Sequence, residues 1–177
     1  ESDNVVSVDF SSRPFTVKTS DKAFQAEAVI ISTGASAMWL NVPGEKEYQG
    51  RGVSACATCD GFFFKEKEII VVGGGDSAME EATFLTRFAK KVTVVVRKEA
   101  MRASRIMQER ARKNSKIAFL YNTEIKEILG DGKKMTGVTL FNNKTKEENA
   151  FSAQGLFVAV GHKPNTDIFK GWLDMDE

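Results

Sequence analysis

Two cysteines and one histidine in 177 residues leave few ways to build a metal site. A tetrahedral zinc centre would need all three plus a carboxylate, and His162 lies far downstream of Cys56 and Cys59. Two cysteines are also too few for a secreted scaffold stapled by disulfides, so their usage points to a reducing compartment, the cytoplasm. No apolar stretch is long enough to span a bilayer, and the opening residues are not signal-like. The chain starts at Glu1 rather than at a methionine, so the expected location rests on cysteine usage alone. Basic and acidic residues number 25 and 24, and a net charge of +1 argues against a nucleic-acid surface. Internal repeats and low-complexity segments are absent. A hydrophobic content of 42% is enough for a sizeable core, in one domain or in one domain with an appendage.

Both cysteines fall in one unit, Cys56-Ala57-Thr58-Cys59-Asp60-Gly61. A C-x-x-C spacing lets the two sulfurs meet across a short turn, so the pair can cycle between dithiol and disulfide. Half of a zinc site, or two small residues adjacent by chance, are the blander alternatives. Next comes Glu68-Ile69-Ile70-Val71-Val72, a strand-like apolar run, then Gly73-Gly74-Gly75-Asp76-Ser77-Ala78. Ala78, Met79, Ala82, Leu85 and Phe88 recur at helical spacing after it. Strand, glycine turn and helix in that order make a dinucleotide-type phosphate loop. Gly73 would permit the tight turn, Gly75 would let the backbone approach a pyrophosphate, and Ala78 would let the helix pack closely on the strand; Gly74 and Ser77 are the remaining cofactor-binding candidates of the loop. Asp76 is expected to cap the helix rather than face an anion. A purely structural glycine turn is the competing reading.

The following strand, Lys91 to Val96, ends where such a site reads the adenosine ribose. An acidic residue there would favour NAD. Instead Arg97 and Lys98 follow, with Arg102 and Arg105 beyond, a cluster suited to the 2′-phosphate of NADP. An ordinary solvated helix start of mixed charge, with Glu99 in it, is the alternative. A redox pair beside a nucleotide loop points to disulfide reduction by a nicotinamide cofactor.

The rest of the chain sorts into short elements. Val5 to Phe10, Phe15 to Thr19 and Ala28 to Thr33 read as strands joined by turns, with no phosphate loop ahead of them. An amphipathic helix is expected from Ser104 to Lys113 and a third parallel strand over Ile117 to Tyr121. Glu124 to Leu129, Met135 to Phe141 and Asn149 to Ala153 read as an antiparallel meander in place of a crossover helix. Leu156 to Val160 returns as a buried strand, and Gly161-His162-Lys163-Pro164-Asn165-Thr166 leaves the domain. The expected class is therefore α/β, a Rossmann-like parallel sheet with a three-stranded antiparallel meander.

Four motifs in this order carry a specific resemblance: Gly52 to Gly61 around the cysteines, G-G-G-D-S-A-M-E-E-A from Gly73, R-K-x-x-x-R-A from Arg97, and G-H-K-P-N-T from Gly161. They resemble the low-molecular-weight thioredoxin reductases over nearly the whole chain. Ile31-Ser32-Thr33-Gly34-Ala35 resembles the A-T-G segment where that family's chain leaves its FAD domain, with Ser32 where the family has Ala. The resemblance implies a relay in which NADPH reduces FAD, reduced FAD reduces the Cys56–Cys59 disulfide, and the dithiol reduces thioredoxin. It places Cys59 nearer the flavin, makes Cys56 the sulfur that attacks thioredoxin, and gives Asp60 the handling of protons. It also implies a homodimer, and an NADPH domain that rotates on hinges near Gly34 to Pro43 and Gly161 to Asn165.

The family's FAD domain is built from an N-terminal stretch opening with its own G-x-G-x-x-G and a C-terminal stretch with a G-D motif; neither stretch is in this sequence. The resemblance thus implies a central fragment: residues 1–36 a partial β remnant of the FAD domain, 37–165 the NADPH-binding and redox-disulfide domain, 166–177 the start of the return. Such a piece is expected to bind flavin poorly and not to turn over alone. Val96-Arg97-Lys98 stands where the family has H-R-R, which keeps charge but loses one bidentate guanidinium. His162 is expected to be a linker contact rather than a catalyst, and Phe62-Phe63-Phe64 core packing, the alternative being an aromatic edge beside the cysteines that helps dock thioredoxin. Two other readings stay open: the reductase component of an alkyl hydroperoxide-reducing system, and a non-catalytic NADP-binding module.

Overall fold

The structure, a computed structural model, describes residues 3–176 and falls into two units. One joins the N-terminal stretch up to Ser36 with the stretch from His162 onward; the other is Ala37–Gly161. In the first, β1 (Val5–Asp9), β2 (Phe15–Thr19) and β3 (Ala23–Ala26) form an antiparallel sheet in that order. The β2–β3 turn is tight because the Thr19 amide donates to the Lys22 carbonyl at 2.9 Å and the Thr19 hydroxyl accepts from the Lys22 amide at 3.2 Å. Phe10 anchors this unit, 5.2 Å from the ring of Phe15, 6.3 Å from Phe169 and 6.2 Å from Trp172. β4 (Ala35–Ala37) pairs with β13 (His162–Pro164) in a two-stranded ribbon.

The strand expected over Ala28 to Thr33 does not form; β3 takes its place five residues earlier in the chain. The tight turn brings Ala23 directly opposite Lys18, which completes the hairpin early. The run beyond it is apolar enough for a strand buried on both faces, but it has no sheet partner among the described residues, and Ile30 is 93% exposed.

The second unit opens with a short helix α1 (Glu45–Tyr48), strand β5 (Val53–Ser54), helix α2 (Ala57–Asp60) and a 3-10 turn Gly61–Phe64. Then come β6 (Glu68–Val72), α3 (Asp76–Leu85), β7 (Lys91–Val96), α4 (Arg105–Lys113) and β8 (Ile117–Tyr121). β9 (Thr123–Gly130), β10 (Met135–Asn142) and β11 (Glu148–Ser152) make the antiparallel meander, and β12 (Gly155–Val158) returns to the main sheet. That sheet is parallel, in the order β5-β12-β6-β7-β8.

Strand periodicity explains why it is buried on both sides. Along β6, Ile69 and Val71 point to one face and Ile70 and Val72 to the other, and all four are buried. The first face also takes Val92, Val94 and Phe157 and is covered by Ala78, Met79, Ala82 and Leu85 of α3 and Ala111 of α4. The opposite face takes Val95, Leu156 and Val158 and is covered by Ile125, Ile128, Met135, Val138 and Leu140 of the meander. The continuous apolar runs of β6 and β7 are the signature of such two-sided burial. Among the described residues no helix is long and apolar enough to cross a membrane.

Glu81, on α3, carries a buried oxygen (Oε2) with no hydrogen-bond partner. Burial, reinforced by the Glu80 carboxylate, raises its pKa from the ordinary 4.5 to about 7. The folded state therefore binds the proton more tightly than the unfolded chain, so this stabilisation is complete below pH 4.5 and is lost as pH rises through about 7. Urea unfolding at about pH 5 and about pH 8 should show the wild type weaker at the higher pH, with Glu81→Gln removing about 1 kcal/mol of that difference after allowance for its partial exposure.

Candidate functional site: a glycine-floored cavity and a disulfide turn

At the end of β6 the chain turns at Gly73, whose φ of 150° and surroundings both require glycine. A Cβ there would strike the Ala159 carbonyl oxygen and come within 2.8 Å of the Ala78 Cβ. The small residue at 78 thus serves close packing of α3 on the sheet. Gly75 is different. It is the N-cap of α3, and a Cβ built on it meets nothing within 4 Å. The space it leaves open belongs to a cavity of about 660 Å³ whose floor is Gly73, Gly74, Gly75 and Ser77. The first intrahelical bond of α3 runs from the Met79 amide to the Gly75 carbonyl at 3.2 Å, so the amides before it are helix-start donors available to an anion.

Arg97, Lys98 and Arg102 line the same cavity, and all three are exposed. Arg105 does not line it; its guanidinium pairs with Glu109 at 2.9 Å. Glu99 also turns aside, to Lys144 at 3.0 Å. Gly161, at φ 122°, lines the far side. The apolar wall comes from residues not singled out by sequence: Met38, Trp39, Leu40 and Val42 before α1, and Ile125 on β9. Glu45 holds this wall in place. Its buried carboxylate accepts the Leu40 amide at 2.8 Å and the Asn41 amide at 2.7 Å. A cavity with backbone donors at one end, cations beside them and an apolar wall fits a dinucleotide with an added ribose phosphate.

Asp76 departs from expectation. It is the first residue of α3 rather than its cap, and no side chain caps that helix. Its Oδ1 instead accepts the Ser104 amide at 2.7 Å. The helix start needs no carboxylate of its own, because its free amides face the cavity. Ala78 is fully buried and does not line the cavity.

The cysteines follow β5 at the sheet edge. Cys56 and Cys59 are joined in a disulfide with their Cα atoms 5.3 Å apart. Cys56 is the N-cap of α2, and its sulfur accepts the Cys59 amide at 3.2 Å. Ser54, which sequence reasoning passed over, organises the turn: its hydroxyl accepts the Cys56 amide at 3.0 Å and donates to the Asp60 carboxylate at 2.6 Å. Only its place at the end of a strand leading into the cysteines would have marked it. Phe64 is buried with its ring 5.1 Å from that of Phe157. Phe62 and Phe63, expected in the core, are 67% and 70% exposed, because the 3-10 turn directs only the third phenylalanine onto the sheet. His162 is exposed on β13.

Known proteins resemble this chain in sequence and fold. The family model for "Pyridine nucleotide-disulphide oxidoreductase" matches residues 1–177. A thioredoxin reductase of Mycolicibacterium smegmatis is 56% identical over 162 residues, covering 92% of this chain and 52% of that protein. One from Streptomyces clavuligerus is 53% identical, covering 99% of this chain and 54% of that protein. The crystal structure of Lactococcus lactis thioredoxin reductase in its FR conformation superposes with a TM-score of 0.90 at 42% identity, over 99% of this chain and 58% of that one. The chain spans about half the length of the curated relatives it matches.

Proposed function

The chain belongs to the pyridine nucleotide-disulphide oxidoreductases, and from that premise we propose that it is the NADPH-binding and disulfide-carrying part of a thioredoxin reductase. In this reading Ala37–Gly161 is the nucleotide and redox domain, and the sheet of β1–β3 with the stretch from His162 belongs to an FAD domain. The exposed apolar run around Ile30 supports the second assignment, since it is a strand-like segment with an unsatisfied face. The observation that carries the proposal is the pairing of a disulfide turn with a glycine-floored, cation-rimmed cavity in one unit.

Gly74, Gly75 and the amides at Ser77 would bind the pyrophosphate, and Arg97, Lys98 and Arg102 the 2′-phosphate. Trp39, Leu40 and Gly161 would shape the rest of the cavity. Neither cysteine lines it, so a hydride carried there needs an intermediary to reach sulfur. When bound, FAD would supply that link, a two-electron carrier between nicotinamide and disulfide. The Cys56–Cys59 bond would then break, two electrons and two protons giving the full dithiol, with Cys59 in the role of the sulfur that exchanges electrons with the cofactor and Cys56 in that of the one that reacts with thioredoxin. Ser54 holds Asp60 where it can take part in that proton exchange. Cys56, the sulfur that accepts the Cys59 amide in the disulfide, would then attack, as its thiolate, one sulfur of oxidised thioredoxin. Cys59 displaces reduced thioredoxin from the mixed disulfide and restores the Cys56–Cys59 bond. The two covalent crossings between the units, beside Gly34 and Gly161 at positive φ, would act as hinges that let the nicotinamide and the disulfide use the flavin in turn. Homodimerisation and a cytoplasmic location complete the reading. The similarity to proteins named thioredoxin reductase favours it over a hydroperoxide-reducing component or an idle nucleotide module.

Calorimetric titration with NADPH and NADH tests the cofactor assignment. NADPH should bind at least roughly tenfold more tightly, and the Arg97→Ala, Arg102→Ala double variant should bring the two affinities together. Equal affinities in the unmutated protein would remove the basis for assigning the basic cluster.

A further inference from the structure

Arg102 sits on a segment, 99–104, without regular secondary structure, yet a cation that selects a phosphate must be held still. Two kinds of restraint act on that segment. Met101 and Ala103 are buried in the core beneath α3 while Arg102 between them is exposed, so alternation drives the arginine outward. The glycine turn then grips the backbone from the other side. The Gly74 carbonyl accepts the amides of Arg102 at 2.7 Å and Ala103 at 2.9 Å, and the Asp76 carboxylate accepts the amide of Ser104 at 2.7 Å. Ser104 is also the N-cap of α4, so the same bond ties the start of α4 to the start of α3.

A carboxylate on the first residue of a helix that opens on an anion site repels the anion unless it is turned away. Asp76 is turned away, onto Ser104. It is the only side chain in the bonds just described that joins the glycine turn to the arginine segment, since Gly74 acts through its backbone. We propose that Asp76 is a positioning residue for nucleotide selection: by holding the Ser104 amide it places Arg102 at the ribose-phosphate end of the cavity. This rests on the NADPH reading above. Asp76 touches no nucleotide in this account, and it acts on the 2′-phosphate alone, through the arginine.

The test compares 2′,5′-ADP with 5′-ADP, which lacks the 2′-phosphate, by calorimetry on the wild type, Asp76→Ala and Asp76→Asn, with circular dichroism confirming that each is folded. Asp76→Ala should weaken 2′,5′-ADP binding roughly tenfold, the scale of a lost hydrogen bond to a charged group, and leave 5′-ADP unchanged or slightly tighter. Asp76→Asn keeps an acceptor oxygen and should restore most of the preference. Amide exchange at Ser104, read by NMR, should speed up in Asp76→Ala and not in Asp76→Asn. If Asp76→Ala is folded and keeps the wild-type ratio of the two affinities, or strengthens both ligands equally, the positioning role is overturned while the NADPH reading stands. If the wild type itself does not distinguish the two ligands, the NADPH reading falls and the positioning role falls with it.

Discussion

There is no room for a side chain at Gly73, and the geometry around the cavity follows from that crowding. Here β6 ends, α3 begins and the chain leaving β12 passes, close enough for the Ala159 oxygen and the Ala78 methyl to share the space a Cβ would need. Such an approach brings the start of α3 over the end of the parallel sheet, which is where helix-start amides and an anion can meet. It also sets Gly74, whose carbonyl anchors the Arg102 segment. One packing constraint thus connects the start of α3 with the cations that line the same cavity.

The sulfur chemistry is organised on a separate part of the same sheet. β5 is the edge strand and β12 lies between it and β6, so the disulfide turn and the glycine turn follow different strands. Around the disulfide, the polar contacts are local: Ser54 joins the Cys56 amide to the Asp60 carboxylate, and the Cys59 amide meets the Cys56 sulfur. The arrangement distinguishes two cysteines that the C-x-x-C spacing alone treats alike. Exposed Phe62 and Phe63 stand next to this turn, while Phe64 ties it to Phe157 in the core.

Most of the second unit was legible because its signals are strong and local. Ile69–Val72 and Val92–Val96 are apolar runs at strand length, broken only by Thr93, and the structure has strands over those residues. Helix α3 was legible from Ala78, Met79, Ala82 and Leu85, which all turn to the core. The meander was legible from its three short strand-like runs, and Asp131 closes the turn between β9 and β10, its carboxylate accepting the Lys133 and Lys134 amides. What escaped depends on contacts distant in sequence. The apolar pattern of Ala28 to Ile31 signals burial but cannot supply a neighbouring strand. Asp76 looks like a cap from sequence, and its partner Ser104 is visible only once α3 and α4 are packed together. Phe62 and Phe63 match Phe64 in composition, and the 3-10 turn alone separates them. Glu45 and Ser54 act through backbone amides, which leave no mark on residue spacing.

A crystal of this chain grown with NADP⁺ shows whether the cavity above Gly73–Gly75 holds a phosphorylated pyridine dinucleotide. The expected density has the pyrophosphate against the amides that open α3 and the 2′-phosphate within hydrogen-bond reach of Arg97 or Arg102. Nucleotide bound anywhere else on the chain, or a cavity without density at saturating NADP⁺, would contradict it.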